Sequence, residues 1–182
     1  MIKIVGYLII LIASAMIGFG VSEKYRNRTK ELLALRTSLE IIRNEINFNN
    51  RLLGDALLTG AGVKMPVISE LFEKMSEILT KGNVTVSKAF ADCISDFKGN
   101  LSLNNDDINL LENFFSVAGT GSNIEEIANI DSVLTSIDLN IKSATEEENK
   151  YVKLFRTTGV LAGLMMGLYL YSGGLKWIAE SN

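Results

Sequence analysis

Two stretches of this chain, one near each end, contain no charged residue, and they constrain its fold more than any other feature. Residues 4–21 form an 18-residue run and residues 157–175 a 19-residue run. A helix needs about 20 apolar residues to cross a bilayer core, with a workable range of roughly 17–25. Each run is long enough to span once. The expected layout is a short N-terminus (1–3), a first transmembrane helix (4–21), a middle domain (22–156), a second transmembrane helix (157–175) and a short C-terminus (176–182). The middle has the length of one domain, enough to bury a core of its own.

Charge gives the expected side. Lys24, Arg26, Arg28 and Lys30 follow the first run, and Lys150, Lys153 and Arg156 precede the second, whereas the outer flanks hold only Lys3 and Lys176. Cytoplasmic segments next to spans carry the excess of Lys and Arg, so the middle domain is expected in the cytoplasm with both termini outside. Trp177 suits the membrane interface. Ala13-Ser14-Ala15 resembles a signal-peptidase site. It lies inside the apolar run, however, and the basic stretch downstream resists export.

Small residues repeat every four positions in both runs: Ser14, Gly18 and Ser22 in the first, Gly159, Gly163 and Gly167 in the second. Such rows let another helix backbone come close. The two spans could use them on each other, or on another subunit or membrane partner.

The middle reads as all-α, a bundle of about five helices between the two transmembrane helices. Leu32, Leu35, Leu39, Ile42 and Ile46 recur at three- and four-residue steps, followed by Leu53, as do Ile127, Ile130, Leu134, Ile137, Ile141 and Ala144, followed by Tyr151. That spacing lays one apolar stripe along a long helix, of the coiled-coil kind. Each long helix is expected to run into its neighbouring span. Three shorter helices are predicted between them. One starts near Pro66, one at a Thr85 cap and one at Asn104 or Asn105, the last with Asp106 and Asp107 in its first turn and Gly119 at its end. Ser122 with Glu125 forms a capping box for the last long helix.

Little chemistry is available. The chain has no His and one Cys, which excludes imidazole catalysis, imidazole metal ligands and an intramolecular disulfide. Gly119-Thr120-Gly121-Ser122 lacks the Lys of a phosphate loop and reads as one helix end followed by the next helix start. Glu146-Glu147-Glu148 reads as a solvated face, and Cys93, on an apolar face, as packing. No catalytic, cofactor or metal site is expected, and no enzyme. Residues 23–51 hold seven basic and four acidic groups, net +3; residues 55–148 hold six basic and sixteen acidic, net −10. An acidic domain of this kind excludes nucleic acid as a partner and suits a basic protein.

The order and spacing of several patterns resemble the stage III sporulation protein AB family of endospore-forming bacteria. They are Leu35-Arg36, Leu39-Glu40 and Glu45-Ile46 after the first run; Leu53, Ala56 and Leu57; Lys88-Ala89-Phe90; Asp107, Leu110-Leu111 and Gly119-Thr120-Gly121; then Tyr151, Gly159-Val160 and Gly163-Leu164. Gly119-Thr120-Gly121 departs from that family's Leu-Gly spacing. The resemblance implies a mother-cell membrane protein of a secretion-like channel complex joining mother cell and forespore. It further implies a soluble domain similar to the platform proteins of type II secretion and type IV pilus systems. The implied partners are the lipid bilayer, a cytoplasmic hexameric ATPase and other membrane channel subunits, with self-association left open. The docking face for the ATPase is expected on the first long helix, at Arg36, Glu40, Arg43 and Glu45. An ion pair between Arg36 and Glu40 at the helical spacing of four is the plainer account of those two residues. Two competing readings are a two-span signalling module, which would place its sensor outside, and a pore-forming oligomer, which would want polar residues in its spans.

Overall fold

A break at Asn49-Asn50 separates what the apolar spacing joins. The structure is a computed structural model that describes residues 2–82 and 84–180; beyond residues 22–151 it describes side chains only at positions 20, 153, 154 and 165. Six helices are present among the described residues: α1 Ile2–Asn49, α2 Leu53–Gly60, α3 Pro66–Thr80, α4 Val86–Phe97, α5 Asn105–Val117 and α6 Asn123–Glu180. Helix α2 is the one that spacing alone does not predict. Asn50 ends α1 with a φ of 50°, a left-handed conformation that Asn tolerates better than most residues. Leu53 is therefore buried as the first residue of α2 and not as the end of the α1 stripe.

The other starts and stops follow local chemistry. Pro66 opens α3, where its missing N–H is no loss. Thr85 caps α4 by accepting the Lys88 N–H at 3.3 Å. Asn104 and Asp107 form a reciprocal capping box on α5. Gly119, at φ 73°, closes α5, and Ser122 exchanges bonds with Glu125 at the start of α6.

The chain divides into two units. One is Arg26–Thr145, the helical bundle. Its core is the α1 stripe Leu32, Leu35, Leu39, Ile42 and Ile46, covered by α6 through Ile130, Val133, Ile137 and Ala144 and by the shorter helices. Phe115 lies among three other rings. Its centroid is 4.6 Å from stacked Phe90, 4.8 Å from Phe114 and 6.5 Å from Phe72, spacings at which aromatic pairs add to the gain from burial alone. Cys93 is buried as packing, and burial pushes its thiol up.

The second unit is Met1–Tyr25 with Glu146–Asn182. Within it Tyr25 stacks on Tyr151 at 4.1 Å between centroids and 15° between planes. Helix α1 has no break from Ile2 to Asn49, nor α6 from Asn123 to Glu180. Among the described residues no helix is long and apolar enough to cross a membrane. The side chains of the two apolar runs lie almost wholly outside that set.

Candidate functional site

Three polar features stand out on the bundle. The first is the face of α1 that turns toward α6. Arg36 Nε donates to Asp138 Oδ1 at 2.5 Å, and its Nη1 to Glu40 Oε1 at 2.8 Å. Arg43 donates to both oxygens of Asp131, at 2.5 and 3.1 Å. The two arginines lie two helical turns apart on α1 and meet aspartates two turns apart on α6, so the helices run antiparallel in register. The Asp138 and Asp131 carboxylates hold the Arg36 and Arg43 guanidinium groups still further above their usual range. Glu45 faces the far end, where Oε2 is 3.1 Å from Arg51 Nε and accepts from Asn49 at 3.0 Å. A shallow depression beside this ladder is lined by Glu40, Arg43, Asn44, Asp131 and Leu134.

Arg36, Glu40 and Arg43 share one polar flank of α1, while Glu45, nine residues from Arg36, lies on the opposite flank; each already holds a partner within the chain. All four side chains keep part of their surface in solvent, so the pairs are screened and individually weak. Ser14, Gly18, Gly159, Gly163 and Gly167, the expected span-packing residues, lie outside the described side chains.

The second feature is buried. Arg28 turns inward, although by sequence it belongs with the exposed basic flank. Its Nε is 2.7 Å from Asp107 Oδ2 and its Nη2 is 3.2 Å from Oδ1, with the two side chains 8% and 0% exposed. Asn140 of α6 donates to the same Oδ1 at 2.9 Å, and Asp107 Oδ2 also accepts the Asn104 N–H. One carboxylate therefore ties α1, α5 and α6 together. Glu31, one turn further along α1, accepts the Ser102 N–H at 2.8 Å. Burial pushes its carboxyl up, opposed by the Ser102 bond. Sequence spacing placed Asp107 at a helix start but had no signal for a partner 79 residues away.

The third feature is the loop between α5 and α6. The Gly119 N–H is taken by Glu126 Oε2 at 2.8 Å and the Ser122 N–H by Glu125 Oε2 at 2.8 Å. A phosphate would have to displace two carboxylates there, so the loop is no anion cradle. Gly119 admits no side chain: an added Cβ would fall 2.9 Å from Val86 Cγ2. Among the described residues no group of three or more His, Cys, Asp or Glu could hold a metal ion.

The sequence model of the family described as Stage III sporulation protein AB matches residues 3–171. The Stage III sporulation protein AB of Bacillus subtilis (strain 168) is 26% identical over 170 residues, which is 93% of this chain and 99% of that protein. A solved structure of Stage III sporulation protein AB is similar with a TM-score of 0.62 at 23% identity, covering 68% of this chain and 98% of that one. At that identity the likeness speaks for the fold.

Proposed function

The chain belongs to the stage III sporulation protein AB family and is a sporulation protein; from that premise we propose that it is a non-enzymatic membrane platform in a secretion-like channel complex between mother cell and forespore. Both charge-free runs cross the mother-cell membrane that surrounds the forespore, and the bundle faces the cytoplasm. The bundle docks a cytoplasmic hexameric ATPase, and the small-residue rows at Ser14, Gly18, Gly159, Gly163 and Gly167 contact other channel subunits.

The observation that carries this reading is the continuity of α1 and α6. Each passes from its charge-free run into the bundle with no loop between. An ATPase acting on the bundle would therefore pull on helices that are themselves the spans. The proposed docking surface is made of the polar flanks of α1, with Arg36, Glu40 and Arg43 on one and Glu45 on the other. Its pairs are exposed enough that a partner's charges can join them at little desolvation cost.

Two experiments on the full chain test the reading. In vegetative cells made to produce the protein in their cell membrane, in a Cys93→Ala background, Asn100→Cys is expected to react with a membrane-impermeant maleimide only after the cells are permeabilised. Labelling in intact cells places the bundle outside and removes the platform. Membranes carrying Glu40→Lys with Glu45→Lys are expected to retain much less of the ATPase than the unaltered protein. Undiminished retention removes this docking face.

A further inference from the structure

We propose that the end of the bundle where α1 meets the start of α6 holds a seat for one basic side chain, a Lys or Arg flanked by apolar residues on a protein partner, with Glu126 as its counter-charge. The proposal rests on the reading that the domain docks a protein, but the chemistry of the seat is testable without that protein.

A cavity of about 480 Å³ opens at this end. Its walls come from the end of α1, the α1–α2 link, the starts of α2 and α4, the end of α3 and the Gly119–Gly121 loop. Glu126 lines it and is 5% exposed. One of its oxygens, Oε2, accepts from Gly119, while Oε1 has no hydrogen-bond partner among the described residues. A buried carboxylate oxygen left unpaired is costly, and a cation supplied from outside relieves that cost through a charge-assisted hydrogen bond. Burial already pushes the Glu126 carboxyl up against the opposing pull of the Gly119 bond.

Arg51 lines the same cavity but does not fill the role. Its guanidinium is 3.1 Å from Glu45 Oε2 and donates to Thr59 Oγ1 at 3.2 Å. The other carboxylate in the lining, Asp55, adds to the negative charge. Leu52 lines the cavity and is 79% exposed. Asn123 bonds Asn50 at 3.3 Å and so holds the α1–α2 link beside the start of α6. An exposed leucine in the wall of a negative cavity matches a partner whose cation has an apolar neighbour.

The test uses the full chain in lipid nanodiscs and two acetylated tripeptide amides, Leu-Arg-Leu and Leu-Gln-Leu, with empty nanodiscs as the blank. Leu-Arg-Leu is expected to bind and to shift the Glu126 carboxyl signal in ¹³C NMR. The Glu126→Gln variant is expected to weaken that binding at least tenfold. Its amide oxygen can still accept from Gly119, and an unchanged melting temperature or a higher one verifies folding. Leu52→Ser should weaken Leu-Arg-Leu as well while leaving the Glu126 titration in place. Equal binding of the two peptides, or undiminished binding to Glu126→Gln, overturns the proposal. If Glu126→Gln loses the peptide yet retains the ATPase in membranes, the seat stands and the ATPase docks elsewhere.

Discussion

Asp107 serves three partners with one carboxylate, and its substitution should be the most damaging single change in the bundle. Asp107→Ala takes from the buried Arg28 guanidinium the carboxylate that meets it at 2.7 Å, a loss of about 3–5 kcal/mol. Chemical denaturation should report it as a lower midpoint. Replacing both residues, Arg28→Met with Asp107→Leu, should recover most of that loss, because no charge is then stranded. Glu126 makes the opposite case. Its carboxyl is held above the ordinary 4.5, so the folded chain keeps the proton to higher pH than the unfolded chain. The stability this confers is fully present below 4.5 and is lost as pH rises through the higher folded value. Glu126→Gln should therefore be at least as stable as the unaltered protein at pH 7 and should flatten this part of the stability–pH curve. A variant that loses stability at pH 7 would show that the charged form is already satisfied. Neither role was visible in the sequence. Asp107 is explained locally by a helix start and Glu126 carries no signal of its own, and only the fold brings Arg28 to the one and the Gly119 loop to the other.

At the scale of elements, the long helices were legible because their stripes are long and regular. Leu32, Leu35, Leu39, Ile42 and Ile46 are all buried as the spacing predicts. On α6 Val133 joins the core while Ile127, Leu134 and Ile141 are only partly buried, since a neighbouring helix covers a wider face than a single seam. Helix α2 was not legible, because Leu53, Ala56 and Leu57 continue the α1 rhythm and the break depends on the backbone of Asn50. Helix α2 comes very close to α1 at Gly60. A Cβ there would lie 2.6 Å from Ile42 Cγ1 and 3.1 Å from the Ser38 carbonyl. Gly60→Ala should therefore cost about 1–3 kcal/mol by overpacking, although Ala is the better helix former. In an Ile42→Ala background, which removes the clashing Cγ1, the penalty should shrink, and a double-mutant cycle on thermal unfolding would measure the coupling. Additive losses would mean that the helices move apart freely.

For the whole molecule, the all-α class was readable from apolar spacing, because that signal accumulates over many residues. The buried polar contacts were not, since they depend on a few side chains from distant segments. The acidic bundle should steer a basic partner toward it. Raising salt from about 50 to about 300 mM should slow association several-fold in stopped-flow mixing while changing dissociation less. An association rate indifferent to salt would argue for purely apolar docking. The core stripe has one further consequence, which concerns synthesis. Its two long contributors come from opposite ends of the bundle, Leu32–Ile46 early and Ile130–Ala144 late. At about 5–20 residues per second, the first half of the seam waits roughly 5–20 s for the second to leave the ribosome. During that interval the oily face of α1 stands uncovered directly after a charge-free run that is itself seeking apolar surroundings. The basic residues Lys24, Arg26 and Lys30 stand between the two; under the proposed membrane placement they would act as a stop, keeping the unfinished seam out of the bilayer until its own partner arrives.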